Sequence, residues 1–351
     1  MTNDQLKMTN DSAPAARYLI KIAKRYINWI LVIGYWSFVL IQFASAQTAF
    51  DPLSLAVGAR ALGMGGAFAA VADDGNALFN NPAALGEIDK VELTSMSATL
   101  LDDVSCTVLG GILPFGDKFS IGAGYAGAFV SGIELRDPYG ALLSRGSYGN
   151  RAVVVALGQK MSDKSSLGLA LKYYFSDGTE ATGSSGRGWN LDLGILQSSW
   201  NWLKLGLVGR NLLGSSSRIN YFNGSAEPLP ITVKTGLKAY LLGSGFDSAF
   251  VSSLEVNLVA DADLFPQGAQ PTALHAGIEV TPVRFLTVRA GLDGSNPTAG
   301  LSFRYAGLGF HYAYHPYGDF SGSAVSYFSL SYDEGGFPQE PEIPDTYLAN
   351  K

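Results

Sequence analysis

Cysteine is almost absent from this chain, Cys106 being the single one. One thiol excludes an internal disulfide framework and any cysteine-rich metal site. Charge is scarce too: Asp, Glu, Lys and Arg make up 15% of the residues, where an average soluble domain carries about 25%. The net charge is −6 and no basic stripe offsets it, which excludes nucleic acid as the natural partner. Beyond residue 46 there is no unbroken apolar run of the ~20 residues that a spanning helix needs. What is plentiful is glycine, 42 of 351 residues, and aromatic side chains, at 12%. Low charge with high glycine and aromatic content implies many tight turns and a large surface that does not meet water.

The first 46 residues read as an export signal. Lys7, Arg17, Lys21, Lys24 and Arg25 form a positive region, and Ile27 to Phe43 is apolar except for Asn28, Ser37 and Gln42. Ala44-Ser45-Ala46 then offers a small-residue cleavage site before Gln47. An uncleaved membrane anchor is the alternative, since 26–43 nearly reaches spanning length, but the triplet favours removal. Removal of 1–46 takes away five Lys/Arg and two Asp, leaving 19 against 28 and a charge of −9.

From residue 90 to 333 the dominant signal has a period of two. Leu167, Leu169, Leu171, Tyr173 and Phe175 alternate with Ser166, Gly168, Ala170, Lys172 and Tyr174. Phe119 to Ala126, Leu203 to Arg210, Leu301 to Ala306 and Leu308 to His315 repeat the pattern. A two-residue period puts one set on each face of a sheet. In a soluble sandwich the second face is rich in Lys, Glu and Thr. Here it is mostly Gly, Ala and Ser, while the apolar face is capped by aromatics near the strand ends. That is the pattern of a membrane barrel, apolar side to lipid and small or polar side to the lumen. Lipid also demands a sheet without edges, since an unpaired backbone group in hydrocarbon costs several kcal/mol.

The segments predict an all-β, antiparallel transmembrane barrel of about fourteen strands. They lie near 90–100, 103–114, 118–130, 148–160, 165–177, 187–198, 201–212, 230–242, 248–261, 272–282, 284–293, 297–306, 307–315 and 323–333. Short turns at 116–118, 161–164, 199–200, 243–247, 282–283 and 306–307 alternate with longer connections at 131–147, 178–186, 213–229, 262–271, 294–296 and 316–322. Barrels of this kind alternate short periplasmic turns with longer external loops. Only the first external loop, 101–103, is also short. The last strand carries Phe328, Leu330 and Tyr332 on one face, which suits insertion by the outer-membrane assembly machinery. Residues 334–351 are rich in Pro and Glu and read as a loose periplasmic tail. The expected organisation is a signal peptide at 1–46, an N-terminal hatch at 47–89, a barrel at 90–333 and a tail at 334–351.

The hatch segment lacks the alternation. Its core, "GARALGMGGAFAAVADDGNALFNNPAALG" at 58–86, has the look of a phosphate-cradling loop. That reading fails on context: Gly63, Gly65 and Gly66 follow no strand of a βαβ unit, and no GK[ST] comes after them. A compact Gly/Ala segment ahead of a wide barrel is better read as a plug in the lumen. Asp73, Asp74 and Asn76 stand where they would cap a brief helix, and Asn81-Pro82 is a turn and breaker. Inward-facing charges are expected at Lys172, Asp192, Lys204, Arg210, Lys234, Lys238, Glu255, Glu279, Arg289 and Arg304. Asp73 or Asp74 is expected to pair with one of the basic residues among them.

This opening, "GARALGMGGAFAAVADDGNALFNNPAAL", resembles the signature of the PorV/PorQ family, which belongs with the FadL-like outer-membrane barrels. The later barrel is similar in pattern and strand number only. The resemblance implies a fourteen-stranded barrel with a hatch that includes an Asn-Pro-Ala turn, here Asn81, Pro82 and Ala83. It implies one of two functions. FadL-like proteins take up fatty acids or other hydrophobic compounds, through a pocket near the outer surface and sideways through the wall. PorV-like proteins are accessory components of a secretion system and bind protein partners. Leu135, Tyr139, Leu142, Leu143, Ile219, Tyr221 and Phe222 in the longer loops supply enough apolar surface for a shallow vestibule.

Catalysis is not expected, and neither a cofactor nor a metal is called for. His311 and His315 lie four apart on one strand face, with Asp293 and Asp319 as carboxylates within range of that face. On a strand that spacing separates them by about 13 Å, too far to share a metal. They read as members of a polar wall network.

Overall fold

Period-two segments fed into an apolar solvent can satisfy their backbone only by pairing all the way round, and that is what the chain does. The computed structural model describes residues 51–334, apart from 55–56, 72, 101–102, 179–184, 244–253, 269 and 318–322. The expected signal segment and tail, with Asp319, lie outside the described residues.

The strands are β1 (Glu92–Leu100), β2 (Val104–Phe115), β3 (Phe119–Arg136), β4 (Leu142–Ser162), β5 (Ser165–Gly178), β6 (Gly186–Trp200), β7 (Leu203–Arg210) and β8 (Arg218–Tyr221). They continue as β9 (Ala226–Pro228), β10 (Thr232–Leu242), β11 (Glu255–Leu264), β12 (Ala273–Val283), β13 (Leu286–Asp293), β14 (Asn296–Tyr305), β15 (Leu308–Tyr317) and β16 (Ser323–Asp333). Fourteen of them, β1–β7 and β10–β16, form one closed antiparallel ring. Its seam is β1 on β16, from Glu92↔Asp333 to Ala98↔Tyr327. β8 and β9 are a short hairpin hung on the edge of β6. No helix among the described residues is long and apolar enough to cross a membrane.

Every connection between ring strands lies at one of two ends. The turn end carries tight links such as Ala306–Gly307, whose φ values of 49° and 80° match the primed turn that two-residue hairpins favour. The loop end carries the longer ones. Three spans depart from expectation. β3 and β4 run on past the expected strand ends, so 131–147 is mostly a rising hairpin joined by 137–141. The 213–229 connection folds into the β8–β9 hairpin and a short 3-10 turn. The expected start of a strand near 248 falls outside the described residues, which resume at Leu254 ahead of β11. Conversely the 294–296 loop is a two-residue turn, with Gly294 at φ 57°.

The outer face is apolar along the middle of the strands, with Leu109, Leu169, Leu193, Leu207, Val288 and Phe310 all exposed. Aromatic belts border it. Phe115 and Phe119 (centroids 6.2 Å apart) and Trp200 and Trp202 (5.8 Å) mark the turn end; Tyr173 and Trp189 (4.5 Å) mark the loop end. An apolar band between aromatic girdles is the surface a barrel offers to lipid.

The hatch fills the lumen. Helix α1 (Ala59–Leu62) packs on β14–β16, helix α2 (Ala77–Asn80) faces β2–β4, and a 3-10 helix (Pro82–Glu87) lies against β4–β6. Its backbone meets the wall where the wall has no side chain. A Cβ on Gly63 would lie 2.9 Å from the Gly300 Cα, and one on Gly277 2.6 Å from the Met64 Cβ. Gly168 lies under the Pro82–Ala83 peptide, Gly194 under Asn81, Gly206 under Ala69 and Gly291 under Gly65. The hatch reverses at Gly65 and Gly66, with φ 68° and 86°, a conformation that glycine adopts without strain.

The capping expectation needs correction. Asn76 occupies the N-cap of α2 but makes no side-chain cap bond. Its Oδ1 is taken by the Thr94 hydroxyl of the wall at 2.9 Å. Asp74 Oδ1 instead accepts from the Asn76 N–H, and the side chain that does cap a helix is Asn81, which accepts from Ala83 N at the 3-10 turn.

Because the hatch seats on backbone, a side chain in the glycine belt must displace it. Gly168→Leu is expected to overpack the contact with Pro82 by about 1–3 kcal/mol or more. In planar bilayers the variant should conduct ions where the parent chain is closed; identical currents from the two would show that the belt does not seat the hatch.

Candidate functional site

The lumen is divided. On β1–β4, the buried inward side chains are Met96, Ala98, Cys106, Val108, Ile112, Ala126, Ala128, Ala152, Val154 and Ala156 with the polar Thr94, Ser120 and Asn150, and none of them is charged. The buried inward charges lie on β5–β7 and β10–β13: Lys172, Asp192, Arg210, Lys234, Lys238, Asp261, Glu279 and Arg289. The hatch is apolar toward the first side, where Leu78, Phe79 and Leu85 press on Gly110, Gly122 and Gly124. Toward the second it is polar.

The polar side is organised by Arg60, the only charged residue between Asp51 and Asp73. Its guanidinium binds Asp73 and Asp74 within the hatch, the latter at 3.0 Å, and grips Glu279 of β12 with Nε and Nη2, both at 2.9 Å. Glu279 also accepts from Arg289 Nε at 2.7 Å, and Arg289 continues through the Ser302 hydroxyl to His311. Asp73 reaches Lys238 of β10 at 2.8 Å, a direct pair between a hatch carboxylate and a wall lysine. Burial opposes charge on Arg60, yet its three carboxylates outweigh it and hold the guanidinium protonated well above its ordinary range. Burial likewise opposes ionisation of Asp73, but Arg60 and Lys238 hold its carboxyl well below the usual carboxylate range.

A second cluster sits at the loop end, beside the Gly65 turn. His275 Nδ1 is 2.8 Å from the Gly65 carbonyl and 2.9 Å from Asp293 Oδ1. Asp293 Oδ2 takes the His315 Nε2 proton at 2.8 Å, and the His315 ring stacks on Tyr317 at 4.1 Å. Gly65 N donates to Thr298 Oγ1 at 3.0 Å, and Phe68 N and Ala69 N donate to Asp261 Oδ2 at 2.7 and 2.8 Å. Among the described residues no three His, Cys, Asp or Glu side chains converge to hold a metal.

The other expected lumen residues are distributed around the ring. Lys172 pairs with Asp192 at 2.7 Å and donates to Asn211. Lys204 pairs with Glu87 of the hatch at 2.6 Å, near the turn end. Arg210 donates to the Leu53, Phe79 and Asn80 carbonyls, tying two parts of the hatch together. Arg304 shares a face with Ser302 but stands exposed at the turn-end mouth, outside the packed lumen, because the strand ends at Tyr305. Of the expected vestibule, Ile219 is fully buried instead, on the inner face of β8, while Tyr139, Leu143 and Phe222 project into solvent.

Arg60 and His275 were not anticipated. A lone arginine ahead of two aspartates was the available signal for the first. For the second it was the alternation with Gly277 and Glu279, both lumen-facing.

No protein-family model matches the sequence, and no curated protein does. Among solved structures, the fold is similar to the toluene transporter TodX of Pseudomonas putida, with a TM-score of 0.56 at 13% identity over 82% of this chain and 99% of that one. It is similar to the toluene transporter TbuX of Ralstonia pickettii, at 0.55, 12%, 81% and 100%. A FadL homologue of Pseudomonas aeruginosa gives 0.54, 12%, 82% and 100%. At such identity the likeness establishes the fold alone, a closed fourteen-stranded antiparallel barrel.

Arg60→Met would leave Glu279 and Asp74 short of a partner, at a cost of about 3–5 kcal/mol for a broken buried pair. Limited proteolysis in urea should release the hatch at a lower midpoint than in the parent, and an unchanged midpoint would remove Arg60 from the anchoring role. Since the Asp73 carboxyl is held low, its contribution is complete above about pH 4 and is lost as pH falls through the depressed value. Protection factors of hatch amides, taken against the intrinsic exchange rate at each pH, should therefore stay flat from neutral pH to about pH 4 and fall only below it; a fall beginning near pH 6 would contradict this assignment.

Proposed function

We propose that this protein is an outer-membrane channel for hydrophobic molecules, with fatty-acid-like or small hydrocarbon solutes as its substrate class. The observation that carries the reading is the split lumen. A hatch clamped by ion pairs on β10–β13 meets a small-residue wall on β1–β4 that carries no fully buried charge. An apolar solute loses little by leaving lipid or detergent for such a wall, whereas ions and water gain nothing there. The proteins of similar fold support it, since two of them are toluene transporters. The rough path runs from the loop end down the β1–β4 side of the hatch.

A second reading has one observation in its favour. The β3–β4 hairpin rises beyond the aromatic belt with Tyr139 95% exposed and Leu143 67% exposed, a surface suited to a protein partner. This is the PorV/PorQ-like role of a secretion accessory, and it rests otherwise on the hatch sequence alone.

Ala128→Arg places a charge on the β1–β4 wall without touching the Arg60 anchor. Uptake of labelled toluene and of a labelled long-chain fatty acid should fall at least about tenfold relative to the parent in cells lacking the native gene, the factor that 1.4 kcal/mol of barrier represents. Unchanged uptake in the variant, or in the deletion strain itself together with loss of surface proteins, would replace the channel reading with the accessory one.

A further inference from the structure

The outer face holds a feature that neither lipid-facing packing nor solute passage accounts for. Arg151 of β4, Phe175 of β5 and Arg187 of β6 are direct neighbours across the sheet, in the pairs Arg151↔Phe175 and Phe175↔Arg187. All three alternate with buried lumen residues, so they point outward. The two arginines stand two strand spacings apart, about 10 Å. Phe175 is ten residues along β5 from Ser165 at the turn end. At ~3.3 Å per residue and a tilt of about 40°, that is about 25 Å up the wall, the full height of an apolar band. The row therefore lies at the loop-end rim of the hydrocarbon.

The guanidinium groups are braced for this position. Arg151 lies over the Phe175 ring at 5.6 Å and the Phe129 ring at 6.0 Å, and pairs with Asp177 one turn of the pleat above. Arg187 lies over Phe222 at 5.6 Å. β8 adds Arg218, exposed beside the same stretch of β6. Directly beneath the row stand Val153, Tyr173 and Trp189, in register, and then Val155 and Leu171. Elsewhere around the ring, the described outward positions near the loop end are uncharged, as at Thr99, Thr107, Ala262, Leu274, Leu292 and Tyr314. Cations are thus concentrated on β4, β6 and β8, on one side of the ring, above an aromatic and aliphatic column.

We infer that this row is a binding site for a phosphorylated, multi-acyl lipid of the outer leaflet. The Arg151 and Arg187 forks take the phosphate oxygens, and the acyl chains lie down the Trp189 column. A guanidinium binds phosphate in a two-pronged, geometrically specific way, and it does so best at a rim where water is thin. Asp177 already pairs with Arg151, and Arg187 stands exposed beside that pair; a phosphate bridging the two guanidinium groups holds the barrel in its leaflet at a set depth and rotation. The site rests on the outer-membrane location proposed above and not on the passage of any solute.

The test uses the full barrel and the Arg151→Gln/Arg187→Gln double variant in phosphatidylcholine nanodiscs doped with diphosphoryl lipid A, with retained lipid counted by native mass spectrometry. Heat-modified electrophoretic mobility checks that both are folded. The parent should retain the diphosphoryl lipid and the double variant at least about tenfold less, as expected for the loss of about 1.4 kcal/mol. The parent should retain neither dephosphorylated lipid A nor phosphatidylglycerol to the same degree. Equal retention by the double variant, or by the parent for either control lipid, overturns the site. Cell fractionation answers the location separately: inner-membrane recovery would defeat the outer-membrane reading even if lipid counts matched expectation.

Discussion

The close approach of two backbones governs this structure. A ring of fourteen strands encloses more space than wall side chains of ordinary size would fill, and lipid outside forbids opening the ring to relieve it. The chain solves this by folding its own first residues into the lumen. For the hatch backbone to reach the wall, the wall must be bare at the points of contact. The glycines at 168, 194, 206, 277, 291 and 300 supply that bareness. Glycine in a strand interior otherwise costs entropy and packing, so their number reports the presence of something pressed against them.

Once the hatch is seated, electrostatics decides its orientation. Arg60 is removed from water among Asp73, Asp74 and Glu279, in a setting where an unpaired charge is expensive and a paired one is held firmly. The wall partners come from β10, β12 and β13, so the clamp pulls from one side. The Gly65 turn is pinned separately by His275 and Thr298 at the loop end. Opposite the clamp, contact is through Leu78, Phe79 and Leu85 against glycine and alanine. Dispersion and burial hold most of that side, where the directional bonds are those of Thr94 to Asn76 and of Ser120 to the Ile88 carbonyl. A plug held by ion pairs along one flank and mostly by packing along the other is suited to yielding on the packed flank.

The outer surface obeys the same division between ends. Aromatic girdles set the height of the apolar band, and the loop end carries a hairpin that continues well past it. Charges on the lipid side occur where strands β4–β6 cross the upper rim, each stacked on an aromatic ring.

Strand positions, ring size and the hatch's location follow from alternation and from the run of small residues, because a period of two and a demand for closure are local and additive properties. Lumen residues such as Lys172, Arg210, Arg289, His311 and His315 were legible for the same reason: they fall on the face opposite Leu and Phe. Their partners were not. That Arg60 meets Glu279, 219 residues away, or that Asn76 spends its side chain on Thr94 instead of capping α2, depends on how the hatch rotates in the ring. Rotation is set by which wall glycines admit which hatch peptide, a matching of shapes among residues distant in sequence. Likewise Ile219 is apolar in the sequence, but its burial on the inner face of β8 arises from β7 stopping at Arg210 and the chain turning at Asn211, whose φ is 59°. The sequence by itself determined the elements and the faces they show; the tertiary structure decided the pairings, because these are won by packing geometry that no local pattern encodes.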